Sequence, residues 1–315
     1  MRSRDIAVPT AAESPASPPL PMPEPMVQYS IRGEGYVPTP QTIQVLPPGM
    51  YKIGKKNGPQ ESWVSIDPLN TMTDELINFK NAVMDEILTE TERFWNTKDK
   101  YKEYGFSHKR GYLLWGPPGS GKTCLVHLLA RQMIVSGGVV FFVDNPHAFT
   151  QVLPQFRQVE PDRKLVVILE DIDATMRNEH VEQELLSVLD GELSVENVLF
   201  LATTNYPETL DKRLMNRPGR FDRVIKVDVP DAVIRAQFFQ HKLKTTTKDG
   251  IDLVKITEGF SLGHLREFIL GVYVQGDPID EVVKRLKNMK TRATSGMDGT
   301  VGFGHGDDHE NQGGG

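Results

Sequence analysis

One stretch of this sequence concentrates the residue types that hold phosphate. Gly116-Pro117-Pro118-Gly119-Ser120-Gly121-Lys122-Thr123 follows the apolar run Tyr112–Trp115 and leads into Cys124, Leu125, Val126, Leu128 and Leu129. Glycines let a backbone curl until its N–H groups converge, and the N-terminus of a following helix adds a field that favours anions. Lys122 is placed to meet the β- and γ-phosphates of a nucleoside triphosphate, and Thr123 to offer its hydroxyl to Mg²⁺. ATP with Mg²⁺ is therefore the expected ligand pair of residues 116–124. Cys124 is read as a helix residue packed under the loop.

Three further segments carry polar groups that a phosphate site needs. Leu165–Leu169 is followed by Glu170-Asp171-Ile172-Asp173. Acids at the end of a buried strand beside a phosphate loop can serve the metal shell and polarise an attacking water. The reading here gives Glu170 to the metal, with Thr123, and Asp171 to the water. Ala202-Thr203-Thr204-Asn205 ends another apolar run, and the Asn205 amide can hold a γ-phosphate or the lytic water. Arg217-Pro218-Gly219-Arg220-Phe221-Asp222 sets two arginines around a tight turn. Guanidinium groups suit the clamping of charge that develops on a transferring phosphoryl group.

The elements that must position these groups are legible from their apolar runs. Residues 112–115, 139–143, 165–169 and 198–202 lack alternation and are bounded by turn or polar residues. Strands of a parallel sheet covered on both faces read this way. Helical segments lie between them, so the fold class is α/β: an αβα parallel sheet of P-loop type, at about residues 70–230. Thr73, Leu76, Phe79, Val83 and Ile87 predict a helix from about 73. After Pro230 the pattern is helical over 231–244, 262–274 and 279–290, with Asp231 as an N-cap, which predicts a helical lid at 231–290. Alternation at Ile43, Val45, Tyr51 and Ile53 predicts a small β-rich lead-in at 27–69. Residues 1–26 form a Pro-rich tail, with eleven of the 22 prolines in the first fifty residues. Residues 291–315 form a Gly-rich tail; both tails are expected to be disordered. His305, Asp307, Asp308 and His309 in the second are read as unstructured rather than as a metal site.

Taken together, GPPGSGKT, LVVILEDID, ATTN and NRPGRFDRV resemble the AAA family of ATPases in order and spacing over roughly residues 70–275. The resemblance implies a nucleotide-binding αβα domain with a helical lid, assembled as a homo-oligomeric ring, usually of six. It implies Lys122 and Thr123 as Walker A residues and Asn205 as sensor 1. It also implies that Arg217 and Arg220 reach a neighbour's ATP, Arg217 being the usual finger. Three features depart from the commoner members. The acids read Glu170-Asp171 rather than Asp-Glu, an order similar to that of the mitochondrial AAA chaperone of the Rieske subunit. Asn205 to Arg217 is one residue longer, which opens the question of which arginine is the finger. Finally, the segment from Asp144 to Glu170 offers only Phe149 to Phe156 where threading members carry an aromatic–apolar–Gly loop. Trp63–Asp67 falls loosely where relatives line the adenine, and Arg266 falls where the lid would meet nucleotide.

The rest of the composition narrows the setting. A formal net charge of −6 over 315 residues gives no overall basic character, which disfavours nucleic acid as partner. The cluster Lys98, Lys100, Lys102, Lys109 and Arg110 is read as a solvated face. With Cys124 as the one cysteine, neither a disulfide nor a cysteine zinc site can form within a chain. No signal peptide or transmembrane run is visible, so a cytoplasmic location without membrane contact is expected. The leading expectation is an ATP-hydrolysing ring that remodels a protein substrate or a macromolecular complex. The alternatives are an ATP-dependent loader or processing factor on nucleic acid, and a hydrolysis-deficient ATP-gated switch.

Overall fold

The structure is a computed structural model. It describes residues 26–32, 35–57, 62–69, 77, 79, 82–175, 179–190, 196–210 and 219–295. Residues 1–25 and 296–315, Thr73, Leu76 and Arg217 lie outside the described residues; residues 291–295, expected to belong to a disordered tail, instead continue the last helix, Ile279–Ser295. The chain divides into two compact units, one ending at Asp228 and the other beginning at Val229.

The first unit is built on a seven-stranded sheet. Its strands are β3 (Gly49–Asn57), β4 (Ser62–Pro68), β5 (Lys109–Trp115), β6 (Val139–Phe142), β7 (Leu165–Leu169), β8 (Val198–Thr204) and β9 (Arg223–Lys226). Their order is β4-β3-β6-β7-β8-β5-β9, and every pairing is parallel except β3 with β4. A separate antiparallel pair, β1 (Met26–Arg32) with β2 (Gly35–Thr42), precedes it.

Successive strand residues face opposite sides, and both sides are dry. Leu165, Val167 and Leu169 of β7 join one buried cluster with Phe149, Val152, Leu153 and Phe156 of α4 (Pro146–Val159) and Leu185, Val188 and Leu189 of α6 (Glu179–Asp190). Val166 and Ile168 join the other, with Ile87 of α1 (Ala82–Trp95) and Leu125, Val126 and Leu129 of α3 (Lys122–Val135). This two-sided burial is why the strands read as unbroken apolar runs, and it delivers the expected αβα layering.

Two details differ from the sequence reading. β3 pairs parallel with β6 from Gly49↔Val139 to Lys52↔Phe142, so residues 49–68 extend the central sheet as an edge hairpin. Tyr51 and Ile53 are buried in the core there, although Lys52 and Lys55 break the apolar run. The first long helix starts at Ala82, and Ile77 and Phe79 are buried outside any helix.

The second unit is helical apart from a two-residue β-bridge of Thr247–Lys248 with Ile251–Asp252. Its helices are Ala232–Leu243, Leu253–Ile256, Leu262–Ile269 and Ile279–Ser295, with a π-helical turn over Leu270–Gln275. Side chains cap three of them: Asp231 accepts from Ile234 N at 2.8 Å, Asp252 from Val254 N, and Ser261 from His264 N. Such caps satisfy first-turn donors that no intrahelical carbonyl can reach. Phe239, Leu253, Phe260, Leu265 and Phe268 form this unit's own buried core.

Candidate active site

Parallel sheets expose their loops at the C-terminal ends of the strands, and ligands gather there. Three of the sequence motifs meet at that edge. β8 lies between β5 and β7, with Trp115 in register with Thr204 and Leu169 in register with Ala202. The glycine loop after Trp115, the acids after Leu169 and Asn205 after Thr204 therefore start at nearly one level across three neighbouring strands.

The loop has the shape its composition promised. Gly121 takes φ 110°, and α3 opens at the next residue with no side chain capping it. A Cβ on Gly116 would stand 2.1 Å from the Val227 carbonyl oxygen, so only glycine fits beneath the loop. Lys122 is buried, and its ammonium donates to Gly116 O at 2.8 Å, Pro117 O at 3.1 Å and Asn205 Oδ1 at 2.6 Å. Asn205 Nδ2 in turn donates to Asp171 Oδ1 at 3.2 Å. A continuous hydrogen-bonded chain thus joins the phosphate loop, the strand-end amide and the second acid.

Burial pushes the Lys122 ammonium below the usual lysine range, while the carboxylates of Asp171, Asp173 and Glu170 pull it back up. Among the acids the surroundings differ. Asp171 is exposed, sits at φ 46° at the strand-to-helix corner, and donates its backbone N–H to Thr203 Oγ1 at 3.1 Å. Aspartate tolerates this left-handed backbone better than glutamate. Glu170 is half-buried, and its Oε1 is a buried atom with no hydrogen-bond partner. Asp173, quoted in the motif but given no role, accepts from Thr204 Oγ1 at 2.6 Å and so ties the end of β8 to the acid turn.

The residues present fit Mg²⁺ and ATP. Among the described residues, the Ser120 hydroxyl oxygen in the loop after β5 and Glu170 Oε1 at the end of β7 are both buried and unpartnered. Both atoms need a partner that the described residues do not supply. Thr123 is exposed at the second residue of α3. Cys124 is partly buried, as a helix residue packed under the loop should be. Its thiol points to Ile77 O at 3.9 Å, and burial raises its pKa. That contact brings the Ile77 segment against the start of α3. The Trp63–Asp67 segment instead occupies edge strand β4, five strand spacings, about 24 Å, from β5.

The family comparison agrees with this geometry. Residues 112–229 match the model of the ATPase family associated with various cellular activities (AAA). The chain carries an AAA ATPase domain. Its relatives include the ATP-dependent zinc metalloprotease FtsH of Lancefieldella parvula, 36% identical over 208 residues, covering 58% of this chain and 32% of that protein. FtsH 2 of Symbiobacterium thermophilum is 34% identical over 244 residues, covering 65% and 41%. The mitochondrial inner membrane i-AAA protease supercomplex subunit YME1 of Saccharomyces cerevisiae is 34% identical over 191 residues, covering 55% and 25%. The chain thus spans a quarter to two fifths of the length of these relatives. The matched family is one of ATPases.

The fourth motif behaves differently. Arg220 of the AAA domain is 4% exposed, and its guanidinium forms a two-pronged pair with Asp190, Nε to Oδ1 and Nη2 to Oδ2, each at 2.7 Å. Phe149 and Phe156, the aromatic candidates for a threading loop, are both buried in the core beneath α4. In the basic cluster, Lys98 pairs with Asp162 at 2.7 Å and Lys109 donates to the Leu189 carbonyl. No described helix is long and apolar enough to cross a membrane.

Proposed function

We propose that this chain is an ATP-driven motor that remodels protein or macromolecular complexes as a homo-oligomeric ring. The observation that carries the reading is the hydrogen-bonded chain Lys122–Asn205–Asp171 across three strand ends. It gathers an ammonium that can bind phosphate, an amide and a carboxylate at one point, which is what hydrolysis of a terminal phosphate requires. On this reading the Lys122 ammonium leaves the Gly116 and Pro117 carbonyls for the β- and γ-phosphates. Its release frees Asn205 to hold the γ-phosphate or the water. Asp171 accepts the proton side of that water. Thr123 and Glu170 hold Mg²⁺, which would supply charge neutralisation between the phosphates. Arg217 serves the ATP of an adjacent subunit.

The relatives' names, ATP-dependent proteases, support a protein as the substrate class. The pairing of Lys98 and the inward turn of Lys109 weaken the nucleic-acid alternative, because both cations already have partners within the chain. Burial of Phe149 and Phe156 removes both as threading aromatics, so the proposed remodelling does not rely on them.

The ring is tested by light scattering of Asp171→Asn protein, with and without ATP. Nucleotide bound between subunits favours assembly by linkage. A mass several times 35.4 kDa that appears with ATP is expected. A monomer at every concentration and nucleotide state would refute the ring. Stimulation of turnover by an unfolded protein and not by DNA is expected of the same preparation; the reverse would move the chain to the loader reading.

A further inference from the structure

We infer that Arg220 is a positioning residue, paired with Asp190, and not a second arginine that reaches a neighbour's nucleotide. The inference rests on the ATPase reading above and reassigns one of its expected groups.

Three observations carry it. First, both prongs of the Arg220 guanidinium named above are taken by Asp190, the last residue of α6, and Arg220 is among the most buried charged residues of the unit. Swinging it outward would leave a carboxylate whose side chain is only 22% exposed without that partner. Breaking one half of such a pair is far more costly than the pair is worth as a source of stability. Second, the backbone on either side of the arginine is fixed to β5. Asp222 N donates to Gly111 O at 2.8 Å, and Gly111 N donates to Asp222 Oδ2 at 2.9 Å. Third, Lys109 at the start of β5 donates to Leu189 O, so two cations converge on the C-terminal end of α6. Cations there meet the negative end of the helix dipole.

The pair therefore locks α6, β5 and residues 220–222 into one body. β5 carries the phosphate loop at its far end. Arg217 lies three residues before the locked arginine in the sequence. Asp190, which no motif marks, becomes a positioning residue for the reaction. A two-pronged arginine pair sets orientation as well as distance, which lysine cannot reproduce.

The test is a double-mutant cycle on ATP turnover by the full chain, with Arg220→Ala, Asp190→Ala and both together. Each single change is expected to lower kcat by about 10–100-fold with KM for ATP within threefold, because the phosphate loop is untouched. The double mutant should be no slower than either single one. Arg220→Lys should fall between, and the exchanged pair Asp190→Arg with Arg220→Asp should recover at least tenfold over the single mutants. Mixing Arg220→Ala with Lys122→Ala subunits should restore turnover, which simple misfolding would not allow. If Arg220→Ala does not fold, Asp190→Asn reads the same role, since it keeps the side-chain shape and removes the charge. Wild-type kcat in Asp190→Ala and Asp190→Asn, beside a large loss in Arg220→Ala, would overturn the inference and return Arg220 to direct phosphate contact. Absence of turnover in the wild-type chain would instead sink the ATPase reading.

Discussion

Gly111→Ala places one methyl group where the structure has no space for it. The new Cβ would stand 2.0 Å from Arg220 O and 3.0 Å from its carbonyl carbon, both backbone atoms. Ordinary contact begins near 3.4 Å, so the two segments must part by about 1.4 Å. The hydrogen bonds at 2.8 and 2.9 Å between Gly111 and Asp222 cannot survive that separation. Two lost bonds at about 1 kcal/mol each, with overpacking at about 1–3 kcal/mol, come to roughly 3–5 kcal/mol. For a unit of this size that is a fall in Tm on the order of 10 °C. Thermal unfolding followed by circular dichroism reads it directly. Gly54→Ala is the control: it is also a strand glycine, but its nearest neighbour is the Ser65 hydroxyl at 3.3 Å, and a shift of a degree or two is expected. A Gly111→Ala protein that melts within about a degree of wild type would show that residues 220–222 are not locked against β5.

Further outcomes follow from the same site. Lys122→Ala should abolish the stabilisation by MgATP, which at a ligand concentration of 100 Kd is about 2.7 kcal/mol; an unchanged ATP-induced rise in Tm would refute the assignment. Asp171→Asn should bind MgATP and lose turnover, whereas Glu170→Gln should also weaken the magnesium dependence; the reverse pattern in calorimetry and phosphate release would exchange their roles. Burial depresses the Lys122 pKa in the free protein, and bound phosphate would raise it again. ATP affinity should therefore decline with rising pH before 10.5 is reached. Over the same window the free folded chain binds fewer protons than the unfolded one, so this group makes stability rise with pH. Affinity that is flat up to the ordinary lysine pKa would contradict the burial argument.

The parts of the molecule legible from sequence share a physical cause. The strands 139–142, 165–169 and 198–204 are buried on both faces, so their residue types announce them without a partner being known. The phosphate loop is local, with strand, glycines, lysine and helix consecutive in the chain. What escaped reading depends on distant partners. β3 joins the sheet through β6, some ninety residues later, and Lys52, Lys55 and Lys56 hide that membership. The partner of Arg220, Asp190, is thirty residues away at a helix end that carries no motif, so their pairing could not be read from sequence. Phe149 and Phe156 stand where threading members carry an aromatic–apolar–Gly loop, without its glycine; they face the sheet from α4, and Phe141 stacks edge-on against Phe156 at 5.0 Å. The apolar spacing around Phe79 matched a helix, while Ile77 and Phe79 are in fact buried outside one.

Mixing of mutant subunits reads out whether ATP is hydrolysed at a site that two subunits complete. An arginine supplied by a partner can be worth about 10³–10⁵ in rate. Arg217→Ala subunits should bind ATP and fail to hydrolyse it; Lys122→Ala subunits should not bind it but still carry Arg217. In a mixture of proven co-assembly, some interfaces pair an intact phosphate loop with an intact arginine, and turnover should reappear with a maximum at intermediate ratios. Two inactive proteins that stay inactive at every ratio would contradict the claim.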